Sequence, residues 1–210
     1  MRGRFITFEG GEGSGKSTQI KRLESWLLSR GIGVVLTREP GGVEEAEALR
    51  NLLLQGAADR WDPISETLLF QAARIQHVRH KILPALERGY WVLCDRFLDS
   101  TLVYQGIGKG VSQEWIRDLY LRSMPDIFPD LTILLDIDVA AGLYRAKARA
   151  DKEQRFENMH LSFHEKVRQG FLAIAESEPI RLKVIDASGT QDEVTARIVE
   201  FVRSKYNLPE

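Results

Sequence analysis

Residues 8–18 read FEGGEGSGKST, and their types and spacing could bind the phosphates of a nucleotide. Gly10, Gly15, Lys16 and Ser17 match the pattern G-x-x-x-x-G-K-[ST]. In this pattern, backbone N–H groups of the loop surround phosphate oxygens, the lysine reaches the β- and γ-phosphates, and the hydroxyl coordinates Mg²⁺. We therefore predict that a purine nucleoside triphosphate binds with Mg²⁺ at Gly10, Gly11, Glu12, Gly13, Ser14, Gly15, Lys16, Ser17 and Thr18.

Charged residues that follow other apolar segments are candidates for the rest of the site. Arg38 closes the segment GVVLTRE, at the carboxyl edge where open α/β sheets bind ligands. Asp95 closes YWVLCDR, while Asp136 and Asp138 close LTILLDID. P-loop proteins place a carboxylate near Mg²⁺ at such a strand end. All three aspartates are candidates, and the arginine beside Asp95 favours that residue.

The elements that must position these residues alternate along the chain. Short β-branched and aromatic runs predict five strands, in RFITFEG, GVVLTRE, YWVLCDR, LTILLDI and RLKVIDA. Helical periodicity predicts helices at about residues 16–29, 44–54, 64–88, 112–122, 139–176 with an interruption, and 191–204. This order predicts an α/β fold of the P-loop NTPase type, with three layers in which helices flank a five-stranded parallel sheet.

The composition is that of an ordinary globular chain. Its 210 residues are 43% hydrophobic and 28% charged, which predicts a single domain over residues 1–210. A formal net charge of -1 argues against a nucleic-acid or membrane-surface partner. A single cysteine, Cys94, and an N-terminal apolar run too short for a signal peptide or a membrane span favour the cytoplasm.

Other P-loop activities have sequence signals of their own. A GTPase requires an N-K-x-D segment, which does not occur, and the D-x-x-G match at 186–189 follows the last strand, too late for a switch region. The signature of an ABC-type ATPase is also absent. A small kinase is the leading class. The alternatives are another nucleotide or nucleoside kinase of this fold, and a P-loop switch whose nucleotide state controls a partner.

Four further segments resemble the thymidylate kinase family. They are TREPGG (37–42), LLFQAARIQHV (68–78), DRFLDSTLVYQG (95–106) and RAKARADKEQRFE (145–157). With the P-loop they extend over the whole chain. The resemblance implies a cytoplasmic homodimer that transfers the γ-phosphoryl group of ATP to the 5'-phosphate of dTMP with Mg²⁺.

The resemblance also implies roles in binding dTMP. Arg38 would lie near the acceptor phosphate, with Glu39 and Pro40 shaping the pocket. Phe70 would stack on the thymine ring, and Arg74 would donate a hydrogen bond to its carbonyl oxygen. An arginine N–H can donate a hydrogen bond to the carbonyl oxygen of thymine. The amino group of cytosine is itself a donor, so it cannot make this hydrogen bond.

The segment after the third strand would complete both sites. By resemblance, Asp95 belongs to the Mg²⁺-linked phosphate site and Arg96 binds the acceptor phosphate. Tyr104 would pack on the sugar where a 2'-hydroxyl could not fit. Ser100 and Thr101 would line the base and Gln105 would fix the nucleoside, although the first two read equally well as a helix cap.

Glu12 raises the question of where the catalytic positive charge is. Negative charge develops on the transferring phosphoryl oxygens, and a cation beyond Lys16 is expected to meet it. Within the family, the members with an acidic P-loop supply that cation from a basic lid. The lid would be residues 145–157, with Arg145 and Arg149 on one helix face. The alternative is a solvated charged helix.

The predicted catalytic residues are therefore Lys16, Asp95, Arg96, Arg145 and Arg149. The four histidines form two pairs that could suggest metal sites, His77 with His80 and His160 with His164. Since no third ligand is evident, we interpret them as structural or surface residues.

Overall fold

The computed structural model describes residues 2–57, 59–124, 127–147, 155–157 and 159–209. Within these residues there are five strands, at Phe5–Glu9 (β1), Val34–Arg38 (β2), Trp91–Asp95 (β3), Leu131–Asp136 (β4) and Leu182–Asp186 (β5). None of the helices in these ranges has the length and apolar character needed to cross a membrane.

The strands form one sheet in the order β2-β3-β1-β4-β5, and all neighbouring strands are parallel. Each face of the sheet is covered by helices and carries its own apolar cluster, one around Phe97 and Phe171 and the other around Phe8 and Leu23. Burial on both faces explains why the strands are nearly continuous apolar runs. The predicted five-stranded parallel sheet flanked by helices is confirmed.

Nine α-helices lie within the described residues. They are Lys16–Leu28 (α1), Glu44–Leu54 (α2), Pro63–His77 (α3), Leu83–Glu87 (α4), Leu98–Thr101 (α5), Gln113–Ser123 (α6), Val139–Lys147 (α7), Leu161–Ser177 (α8) and Gln191–Tyr206 (α9). Sequence periodicity predicted most of these positions to within a few residues. It did not predict α5.

The described residues contain two π-helical segments, one inside a predicted helix and one outside all of them. The helix expected over 64–88 contains a π-helical segment at Val78–Ile82, which joins α3 to α4. Pro84 lacks an N–H group and cannot complete the regular hydrogen-bond ladder, which accounts for a change of pitch just before it. The second segment, Leu102–Gly108, continues α5 and contains Tyr104 and Gln105.

The strand order brings the chemically active residues to one edge of the sheet. Because β1 lies between β3 and β4, the P-loop that follows β1 is next to the loop that follows β3. Ligands of open α/β sheets bind outside the carboxyl ends of the strands. Arg38 and Asp95, at the ends of neighbouring parallel strands, are paired in register.

Candidate active site

The P-loop is a turn that only glycine can make at certain positions. Gly13 has φ 68° and Gly15 has φ 92°, both in the left-handed region that favours glycine. A Cβ atom on Gly13 would lie 1.9 Å from the carbonyl oxygen of Gly142. Gly15 stands immediately before α1, so the positive end of that helix faces the loop.

Lys16 is folded against the inside of the loop. Its Nζ donates to the carbonyl oxygens of Gly10 at 3.0 Å and Gly11 at 2.9 Å, and to Ser14 Oγ at 3.3 Å. Burial, followed by the nearby Arg96 guanidinium, lowers the pKa of Lys16 to about 8. The ammonium group is therefore already positioned where the loop would surround phosphates.

The structure separates the three candidate aspartates. Ser17 Oγ donates to Asp95 Oδ2 at 2.9 Å, so a hydroxyl and a carboxylate meet at the start of α1. Asp136 instead accepts two hydrogen bonds from Arg168, at 2.7 and 2.9 Å. Asp138 accepts from the backbone N–H of Ala141 in the first turn of α7. Among these candidates, Ser17 and Asp95 supply the oxygen ligands that suit Mg²⁺.

Glu12 has two partners that sequence analysis did not predict. Its Oε1 accepts from Arg96 Nη2 at 2.8 Å and from the Tyr104 hydroxyl at 3.0 Å. Burial opposes ionisation, but the charges of Arg96 and Lys16 and the Tyr104 hydrogen bond hold the pKa of Glu12 below its usual value. The carboxylate thus joins the P-loop to the residues of the second segment.

Arg96 stands in an unusual turn that Glu9 stabilises. Its φ of 68° lies in the left-handed region, where few residues other than glycine occur. The buried Glu9 carboxylate accepts from the Phe97 N–H at 2.7 Å, the Ser100 N–H at 3.3 Å and the Ser100 hydroxyl at 2.6 Å. Burial, followed by the nearby Asp99, raises the pKa of Glu9 to about 7. Sequence analysis did not identify Glu9.

A cleft with a volume of about 260 Å³ opens beside the P-loop. It is bounded by the P-loop, the end of β2, helices α2 and α3, and the segment that follows β3. Its lining contains most of the predicted site residues: Glu12, Gly13, Ser14, Gly15, Lys16, Ser17, Arg38, Glu39, Pro40, Phe70, Arg74, Asp95, Arg96, Ser100, Thr101, Tyr104 and Gln105.

Arg74 is held rigidly in the wall of the cleft and is only 2% exposed. Its Nε donates to Glu39 Oε2 at 2.7 Å and its Nη1 to Gln71 Oε1 at 3.0 Å. Its Nη2 donates to the Phe97 carbonyl at 3.2 Å and to Thr101 Oγ1 at 2.9 Å. A guanidinium has five N–H groups, and the contacts of Arg74 with the described residues use four of them, which leaves the fifth for a bound ligand.

His77 contacts Glu39, the carboxylate that pairs with Arg74. It is buried, and its ring nitrogens lie 3.1 Å from Glu39 Oε1 and 2.6 Å from Thr37 Oγ1. His80 and His160 are exposed, while His164 is buried and its Nε2 has no hydrogen-bond partner among the residues that the structure describes. Ser100 and Thr101 lie inside α5 and bond to Glu9 and Arg74, rather than capping a helix.

Some predicted residues lie elsewhere. Gly10, Gly11 and Thr18 belong to the P-loop but do not line the cleft. Arg145 is at the end of α7, with Nη1 3.5 Å from the Ala187 carbonyl oxygen, beside the segment that follows β5. Arg149 lies outside the described residues.

Sequence analysis missed five residues that line the cleft: Arg50, Leu54, Phe97, Phe156 and Glu157. Arg50 donates to the Pro40 carbonyl oxygen at 2.7 Å. Its spacing from Leu54, i and i+4 on α2, is a signal that could have placed both on one helix face. Arg38, a predicted lining residue, is partly exposed and pairs with Glu47 at 3.2 Å.

The P-loop and the cleft share one edge of the sheet, so two nucleotides can bind with their phosphates facing each other. This arrangement defines the class of P-loop nucleotide kinases, in which one phosphate-binding loop takes the donor and a neighbouring pocket takes the acceptor.

The comparisons with known proteins narrow the class. A family model described as thymidylate kinase matches residues 8–198. The chain is 52% identical over 206 residues to a thymidylate kinase of Magnetococcus marinus, with 98% of each chain covered. It is 50% identical over 206 residues to that of Caulobacter vibrioides, with 98% and 99% covered.

A crystal structure of thymidylate kinase from Ehrlichia chaffeensis has a TM-score of 0.79 and 35% identity, covering 96% of this chain and 100% of that chain. The chain belongs to the thymidylate kinase family. It is a nucleoside monophosphate kinase, and its reaction is the phosphorylation of dTMP by ATP in dTTP synthesis.

Proposed function

We propose that the chain phosphorylates dTMP in the cleft beside its P-loop, and that Ser17 and Asp95 would hold the Mg²⁺ ion of the reaction. The observation that carries this proposal is the contact of Ser17 Oγ with Asp95 Oδ2 at 2.9 Å, directly beside Arg96. This contact supports the proposal because it brings a hydroxyl and a carboxylate, oxygens of the kind that Mg²⁺ prefers, together beside an arginine at one edge of the sheet.

The donor site is the P-loop. Its backbone N–H groups surround the phosphates of ATP, and Lys16 exchanges its loop carbonyl partners for phosphate oxygens. Ser17 and Asp95 are the residues that would hold Mg²⁺. When bound, the ion neutralises charge that develops on the transferring phosphoryl group.

The acceptor phosphate binds at the arginines of the cleft. Arg96 is the nearest to the metal pair, and its turn is fixed by Glu9. Arg38 and Arg50 lie on the opposite wall, at the end of β2 and on α2. A phosphate dianion suits arginine because the planar guanidinium can donate two parallel hydrogen bonds.

The nucleoside binds between aromatic rings and a fixed donor. Phe70 stacks on the thymine ring, and the remaining N–H of Arg74 donates to a thymine carbonyl oxygen. Cytosine presents an amino group at the corresponding position, which leaves the donor unmatched. Tyr104 packs against the sugar and excludes a 2'-hydroxyl.

The catalytic cation that the P-loop lacks comes from residues 145–157. Glu12 supports this assignment because it places a negative charge in the loop, where it pairs with Arg96. We propose Arg145 and Arg149 as the lid cations that stabilise charge on the transferring group. Together with Lys16, Asp95 and Arg96 they form the catalytic set, in a single kinase domain over residues 1–210.

We further propose that the enzyme works as a homodimer in the cytoplasm, without a nucleic-acid or membrane partner. Support for a dimer comes from exposed apolar side chains on two contacting helices: Ile64 at 46% and Leu68 at 45% on α3, and Leu121 at 59% on α6. Such a patch is typical of a protein interface. The net charge of -1 supports the absence of a polyanionic partner.

The test is an ATP-consumption assay with dTMP, dUMP, dCMP, AMP and GMP as acceptors. We expect dTMP to be preferred. A preference for another acceptor would favour a different nucleotide kinase, whereas slow turnover with every acceptor would favour a P-loop switch. Equal activity on dTMP and dCMP would contradict the assigned role of Arg74.

A further inference from the structure

Arg155 stands in the predicted lid segment, but it is buried away from the P-loop. It is 3% exposed. Its Nη1 donates to the Leu53 carbonyl oxygen at 2.9 Å, in the last turn of α2, and its Nε to that of Ala57 at 3.0 Å, in the segment that follows α2. The same Nη1 lies 2.5 Å from Glu66 Oε2, on α3. Arg155 therefore contacts the helices of the acceptor side.

Glu66 is the centre of this cluster and has no solvent exposure. Besides Arg155, its carboxylate accepts from Gln105 Nε2 at 2.8 Å and from Lys109 Nζ at 2.7 and 2.9 Å. A buried carboxylate without cations would be strongly unfavourable, so these contacts fix one arrangement of the three side chains. Gln105 is itself part of the cleft lining.

Phe156 follows Arg155 and forms an aromatic wall of the cleft. Its ring centroid lies 6.4 Å from that of Phe70 and 5.6 Å from that of Tyr104, nearly perpendicular to the latter. The charged groups of Lys109 and Arg155 each lie 5.3 Å from its ring. The ring is thus positioned by the same cations that pair with Glu66.

We propose that Glu66 is a positioning residue for acceptor binding, because through Arg155 it holds Phe156 against the nucleoside pocket. This inference rests on the proposed function, since it takes dTMP as the ligand of the cleft. It assigns Arg155 to nucleoside binding and not to the phosphates. Glu66 acts without touching substrate, through the residues that it orients.

The first variant is Arg155→Met, which keeps an apolar side chain of similar length but removes the ion pair. We expect the KM for dTMP to rise about tenfold or more, with kcat within about threefold of native and the KM for ATP unchanged. Phe156→Ala leaves Arg155 and Glu66 in place and should raise the KM for dTMP similarly. Arg122→Met is the matched control, since that side chain is 78% exposed and its ion pair is with Asp118, one helical turn away on the same helix.

Coupling between the two charged residues is tested by Glu66→Gln alone and combined with Arg155→Met. If both act through Phe156, the double variant should raise the KM for dTMP no more than about threefold beyond the larger single effect. Independent effects would multiply instead, to about a hundredfold.

Two results would overturn the proposal. One is a dTMP KM within twofold of native in both Arg155→Met and Phe156→Ala, even if the melting temperature falls, which would make the cluster structural. The other is a large loss of kcat or a raised KM for ATP in Arg155→Met, which would make Arg155 a phosphate ligand. The acceptor preference of the native enzyme, measured in the same assay, tests the proposed function. The variants test the role of Glu66, so a failure of one can be distinguished from a failure of the other.

Discussion

Replacing Arg74 by Met should affect stability and base selection together. The side chain donates four hydrogen bonds inside the protein and is the cationic partner of the buried Glu39 carboxylate. Met retains much of the apolar stem but none of the donors. Because Glu39 is itself buried, the change leaves a carboxylate whose remaining side-chain partner, within the described part of the chain, is His77.

The expected magnitude follows from this burial. Removing one partner of a buried ion pair costs about 3–5 kcal/mol of unfolding free energy, which for a chain of this size lowers the melting temperature by about 6–20 °C. In catalysis, losing the single donor to thymine should cost about 0.5–3 kcal/mol. The ratio of kcat/KM for dTMP to that for dCMP should therefore fall by about 2- to 150-fold.

Both quantities can be measured on the same samples. Thermal unfolding gives the stability change, and ATP consumption with each acceptor, well below the melting temperature, gives the kinetic ratio. Arg79→Met, on the exposed side of the following π-helical segment, is the control for loss of one positive charge. A melting temperature within about 3 °C of native would refute the buried-pair argument. An unchanged acceptor ratio would refute the role in base reading.

Three further changes test other parts of the site. Tyr104→Leu should raise the relative kcat/KM for ribothymidine monophosphate, and an unchanged ratio would place the 2'-hydroxyl gate elsewhere. Arg145→Ala should lower kcat by about 10³-fold with little change in the KM for dTMP, whereas a loss of only a few-fold would make that arginine a surface residue. Glu9 has its pKa raised from 4.5 to about 7, so the native state binds its proton more tightly and the contribution of Glu9 to stability falls as pH rises between those values. The melting temperature of Glu9→Gln should therefore fall less between pH 5 and pH 7.5 than that of the native protein. An equal fall in both proteins would contradict the shifted pKa.

Sequence patterns predicted the regular elements well because strands that are buried on both faces of a sheet are runs of apolar residues, which can be recognised in the sequence. All five apolar runs are strands, and the helix starting at Lys16 begins where the P-loop pattern requires. The π-helical segments were not predictable in the same way. A few residues of altered pitch do not change the apolar spacing, and the effect of Pro84 depends on the hydrogen bonds around it.

In the candidate site, too, some residues could be predicted from the sequence and others could not. Residues in local motifs, such as Lys16, Ser17 and Arg74, could be named from spacing and resemblance. Glu9 and Glu66 could not, because each acts on residues distant in the chain: Glu9 contacts Phe97, 88 positions later, and Glu66 contacts Gln105, 39 positions later. Such pairs depend on strand order and helix packing, which a single sequence does not encode locally.

Much of the positive charge in the cleft is already balanced before a nucleotide arrives. Three arginines of the lining are paired with carboxylates, as Arg38 with Glu47, Arg74 with Glu39, and Arg96 with Glu12. Paired charges project only a weak field into solvent, and salt screens what remains within about 10 Å. The dianionic acceptor is therefore expected to reach the cleft by ordinary diffusion, with an association rate that changes little with ionic strength.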